Sequence, residues 1–147
     1  MSTTIVVGVD GSEGSVRALE FALVEARARG AELKVVSAWD VPVSAYNTGW
    51  VPIAVDPVDF EQIAESALDR SLHEAGAAES GVSVTPILRE GQAADVLVAE
   101  AHEAELLVVG SRGLGGFKGL LLGSVGQQCA HHTTCPVAIV PDGDRPS

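Results

Sequence analysis

Short apolar, β-branched runs alternate with stretches of helical periodicity along the whole of this 147-residue chain. That alternation narrows the possible folds more than any other feature. Ile5-Val6-Val7-Gly8-Val9 is nearly continuous in apolar side chains, as expected of a strand covered on both faces. It stops at the turn cluster Asp10-Gly11-Ser12. From Gly14 to Arg29 the period changes. Val16, Leu19, Leu23 and Ala26 recur every three or four residues between charged positions, and Gly30 stands where a helix C-cap glycine belongs. Leu33 to Trp39 reads as a second strand.

Asp40 to Asp56 has no clean period and holds Pro42, Tyr46, Trp50 and Pro52. Its two aromatics suit either a lid over a ligand or partner contact, or plain packing on the next helix. Asp56-Pro57 has the form of an N-cap followed by proline at the first helical position. The apolar stripe Ile63, Ala67, Leu72 and Ala75 then predicts a second helix to about Glu79, ended by Gly81. Val82, Val84 and Leu88 mark strand three, and Ala93 to His102 a short helix. Leu106 to Val109 is strand four. A loop from Gly110 to Gly123 contains six glycines. Ser124 with Gln127 forms a capping box that starts a helix to about His132. Pro136 to Val140 is strand five, and Asp142 to Ser147 a polar tail.

This order is β-α-β-α-β-α-β-α-β in one domain over residues 1–147, with no internal linker. Right-handed crossovers then give an α/β fold: a parallel sheet with helices on both faces. Aromatics are only 4% of the chain, so the core must come from Val, Leu, Ile and Ala. The net charge is −11, which disfavours duplex nucleic acid and anionic membranes, since both select basic patches. The start Met1-Ser2-Thr3-Thr4 lacks the basic segment of a signal peptide, and no apolar run is long enough to span a membrane. With two cysteines, the expectation is a reduced, cytoplasmic chain.

The sharpest chemical feature is Gly110-Ser111-Arg112-Gly113, nine residues, then Gly123-Ser124. It follows a strand and opens a helix. Glycines let backbone N–H groups approach an anion closely, and a helix N-terminus adds free N–H groups and a favourable dipole. Each N–H to a charged oxygen contributes roughly 1.5–3 kcal/mol. Beyond about 8 Å the overall negative charge is screened. Gly113-Leu114-Gly115-Gly116-Phe117-Lys118 lacks the last glycine of G-x-G-x-x-G, and nothing fits G-x4-G-K-[ST]. On these grounds the loop suits phosphate binding and plain connection alike. Asp10, at the end of strand one, suits ribose hydroxyls, an adenine amino group or Mg²⁺, or merely caps the turn before the first helix.

Val7-Gly8-Val9-Asp10-Gly11-Ser12, Glu90-Gly91, the G-x2-G-x9-G-[ST] element from Gly110 to Ser124, and Cys135-Pro136-Val137 together resemble the universal stress protein family. The resemblance covers nearly the whole chain. It implies a Rossmann-like sheet in order 3-2-1-4-5, a homodimer through the last strand (here Pro136 to Val140), and ATP with its Mg²⁺. Asp10 would then sit at the nucleoside end, and Ala38 would offer its backbone to the adenine. Gly110, Gly113, Gly123, Ser124 and Val125 would surround the phosphates, with Arg112 as the motif's basic residue. A regulatory, stress-response role with at most slow hydrolysis follows, because no catalytic constellation stands out. The alternatives are a dimerising scaffold without nucleotide, and an adenine-nucleotide hydrolase or ligase of related fold. The latter class uses an S-G-G-x-D-S loop after strand one, which Val9-Asp10-Gly11-Ser12 does not supply.

Cys129-Ala130-His131-His132-Thr133-Thr134-Cys135 holds four potential metal ligands. They lie across a helix end rather than as two pairs separated by a wrapping stretch, so a metal centre is not expected. His73 and His102 are isolated. Glu61, Glu65, Asp69 and Arg70 read as a wet helix face.

Overall fold

The computed structural model describes residues 3–40, 57–111 and 124–141. The element order is β1 (Thr4–Gly8), α1 (Glu13–Arg29), β2 (Glu32–Trp39), α2 (Pro57–Glu74), a 3-10 turn (Ala77–Glu79), β3 (Val84–Glu90), α3 (Ala93–Glu100), β4 (Leu106–Gly110), α4 (Ser124–His132) and β5 (Val137–Val140). All four strand pairings are parallel, and the sheet order is β3-β2-β1-β4-β5. The Asp40 to Asp56 stretch, with Tyr46 and Trp50, lies almost wholly outside the described residues.

The continuous apolar runs have a simple cause. Successive side chains of a strand point to opposite faces. Ile5 and Val7 of β1, Leu33 and Val35 of β2, and Leu106 and Val108 of β4 face α1 and α2, against Leu19, Leu23 and Leu68. Val6, Val36, Leu107 and Val109 face α3 and α4, against Leu97 and Cys129. β1 and β4 therefore have no wet face, whereas β2 also carries half-buried Lys34 and buried Ser37. Burying one such Leu or Val is worth about 1.5–3 kcal/mol.

α1 begins at Ser12, whose hydroxyl accepts from Ser15 N–H, and ends at Gly30 in the left-handed region at φ 64°. Glu13 in the first turn and Arg27 and Arg29 in the last complement the helix dipole. α2 stops at Glu74, short of the expected Glu79. The breaker is Gly76 at φ 70°, after which the chain takes one 3-10 turn. β3 runs through Glu90, and Gly91 N–H still donates to Trp39 C=O at 2.8 Å.

β3 is an outer strand and carries Pro86 opposite Val35. Leu33 N–H donates to Ser83 C=O and Gly91 N–H to Trp39 C=O. Odd-numbered residues of this strand thus bond to β2, and Pro86 belongs to the outward set. Its missing N–H removes no ladder bond, which is where a strand tolerates proline.

Candidate functional site

The carboxyl ends of β1, β2 and β4 meet where the strand order reverses direction, with β1 first in sequence and central in the sheet. In open parallel sheets that is where ligands bind. A cleft opens there, lined by Gly8, Val9, Asp10, Ser15, Val36, Ala38, Ala93, Leu97, Val109, Gly110 and Val125. Most of the wall is aliphatic. The polar groups sit at one side.

The floor depends on a glycine. A Cβ built on Gly8 would lie 2.7 Å from Leu97 Cδ1, so the side chain of α3 occupies the space that any other residue at position 8 would need. α4 packs on the end of β4 at ordinary contact distance. Gly126 is buried, and a Cβ there would stand 3.8 Å from the Gly110 carbonyl oxygen. The first turn of α4 thereby reaches the end of β4 and brings Val125 to the cleft.

Asp10 is half-buried at the cleft's polar side. Its Oδ1 accepts from Ser12 N–H at 2.9 Å and from the Ser12 hydroxyl at 2.5 Å. The helix cap itself is Ser12, so Asp10 orders the turn before α1 without capping that helix. Ala38 lies two residues beyond Val36, whose carbonyl accepts from Val9 N–H at 2.9 Å. By the two-residue alternation, the Ala38 peptide faces the same side, toward the space β1 leaves when it turns at Asp10. A second hollow adjoins the first and shares Asp10 and Ala38. Its other wall is Phe60, Ile63, Ala64 and Ala67 of α2.

Of the residues expected to bind, Asp10, Ala38, Gly110 and Val125 thus line one cleft. Ser124 begins α4. Arg112, Gly113 and Gly123 lie outside the described residues. Gly8, Val9, Ser15, Val36, Ala93, Leu97 and Val109 were not anticipated as site residues. The strand alternation carried a signal for Val36 and Val109, which share a face.

The Cys129–Cys135 string straddles the end of α4. His131 and His132 are exposed, with rings 6.5 Å apart, and Thr133 Oγ1 is 3.4 Å from Cys135 Sγ. Among the described residues, no group of three or more His, Cys, Asp or Glu is placed to hold a metal. Cys129 is fully buried against the sheet. Burial first, and then neighbouring Cys135, pushes its thiol from 9.0 up to about 11. The folded chain therefore holds that proton more tightly than the unfolded chain. This contribution to stability is intact below pH 9 and is lost as pH rises from 9 toward 11. We expect Cys129 to resist iodoacetamide at pH 8 in the native protein and to react once denaturant is added. Mass spectrometry of the labelled peptide reads the outcome, and rapid native labelling would contradict the burial.

A three-layer parallel α/β domain with a ligand cleft at the strand-order reversal is the class these features define. The universal stress protein family model matches residues 1–141. The chain belongs to that family. It is 34% identical to universal stress protein YxiE of Bacillus subtilis, over 95% of this chain and 99% of that one. It is 37% identical to universal stress protein Rv2623 of Mycobacterium tuberculosis, over 92% of this chain but only 44% of that protein's length. The chain thus spans under half the length of such mycobacterial relatives. A solved universal stress protein in complex with cAMP superposes with a TM-score of 0.70 at 30% identity, covering 94% of this chain and 96% of that one. Among the described residues, no helix is long and apolar enough to cross a membrane.

Proposed function

We propose that this chain is an ATP-binding universal stress protein domain that acts by binding rather than turnover, as a cytoplasmic homodimer. The observation that carries this reading is the cleft, where Asp10, Ala38, Gly110 and Val125 surround one space beside the first turn of α4. Aliphatic walls from Val9, Val36, Val109 and Val125 suit a purine ring. The Ala38 peptide offers backbone to the base edge, and the Asp10 carboxylate accepts from ribose hydroxyls or holds Mg²⁺. The phosphates extend toward the α4 N-terminus and the Gly-rich loop, where the helix dipole and free N–H groups favour anions. The solved family member with cAMP supports an adenine nucleotide as the ligand class. The homodimer forms along β5, an outer strand of the sheet.

Purified protein decides this. Denaturing it should release adenine nucleotide, read by chromatography. Nucleotide-free protein should show binding heat with Mg-ATP, weakened by Gly113→Ala and Gly123→Ala. Empty protein that gives no heat would favour a dimerising scaffold and overturn the reading. Rapid multiple turnover with a defined acceptor would favour a hydrolase or ligase instead.

A further inference from the structure

Resting on the nucleotide reading but going beyond it, we propose that Ser15 is a positioning residue that fixes the Asp10 carboxylate for ligand recognition. Capping of α1 needs only the Ser12 hydroxyl accepting from Ser15 N–H at 3.2 Å. The structure contains more than that. Ser15 Oγ accepts from Asp10 N–H at 3.2 Å and donates to Ser12 C=O at 2.9 Å. The Ser12 hydroxyl and N–H both donate to Asp10 Oδ1. Backbone and carboxylate of Asp10 are thus tied separately into one ring of hydrogen bonds over residues 10 to 15.

Ser15 closes that ring from inside the cleft. It is 5% exposed and lines the cleft beside Asp10. It also belongs to a 17-residue helix held to the sheet by Ala18, Leu19, Ala22 and Leu23. The carboxylate therefore takes its position from a packed helix rather than from a turn alone. A carboxylate held this way is already aimed before a ligand arrives, which spares the ordering cost of binding. Alanine is small and favours helix, so Ser15→Ala tests aim rather than folding.

The test is a double-mutant cycle read by calorimetry with Mg-ATP, using wild type, Ser15→Ala, Asp10→Ala and the double variant. Ser15→Ala is expected to weaken binding about three- to tenfold. In the Asp10→Ala background the same change should have no further effect. Unchanged affinity, or an equal loss in both backgrounds, would overturn the role of Ser15 while leaving nucleotide binding intact. If wild type binds no ATP, the functional reading fails first. The positioning claim is then decided without ligand by NMR. Ser15→Ala should speed Asp10 amide exchange and shift its carboxyl carbon resonance, and no change in either would refute it.

Discussion

Asp10→Ala is expected to weaken Mg-ATP binding about ten- to a hundredfold, the loss of one or two hydrogen bonds to a charged acceptor in a sheltered site. The domain should still fold. Asp10 also accepts from Ser12 N–H and hydroxyl, so a stability loss of about 1 kcal/mol should accompany the change. In a domain of this size that lowers Tm by only a few degrees. Asp10→Asn separates the two roles open to the carboxylate. It keeps an acceptor of the same shape, so ribose recognition should largely survive, whereas direct Mg²⁺ coordination should not. Calorimetry with and without Mg²⁺ distinguishes them. Equal ATP affinity in wild type and Asp10→Ala would remove Asp10 from the site altogether.

Leu107→Ala should produce the largest stability change. Leu107 is fully buried in β4, between Val6 of β1 and Val137 of β5, on the face packed by α3 and α4. Neighbours on both sides are strands and cannot collapse into the gap. Truncation therefore loses both transfer energy and contacts around a cavity, about 2–5 kcal/mol. That corresponds to a Tm drop on the order of 10 °C by thermal denaturation. A change within a degree or two would mean that the packing around β4 is looser than described.

The layered core is legible in the sequence, because strands covered on both faces leave little room for polar residues. Ile5 to Val9, Leu33 to Trp39 and Leu106 to Val109 each locate a strand to within a residue or so. The lateral order of strands was not in those patterns. It came from the family resemblance, because a strand's own periodicity does not say which neighbour it pairs with. α2 ends short of Glu79 because Gly76, like Gly81, sits at positive φ and breaks the helix first. In the cleft, Asp10 and Gly110 are legible as residues at strand ends, whereas Ala38 comes from the family resemblance. Ser15, Ala93 and Leu97 are not legible, since they arrive on helices whose rotation against the sheet follows from close approaches such as Leu97 over Gly8.

The proline on the outer strand bears on how copies of this molecule associate. An uncovered sheet rim is a template on which further chains can stack, and Pro86 interrupts the row of donors along the β3 rim. The two rims are thus unequal: Pro86 discourages strand addition at β3, and no proline lies within Val137–Val140 of β5. Joining two molecules at the β5 rim would leave only proline-guarded borders outside, so the assembly would terminate as a closed pair instead of growing into a fibre.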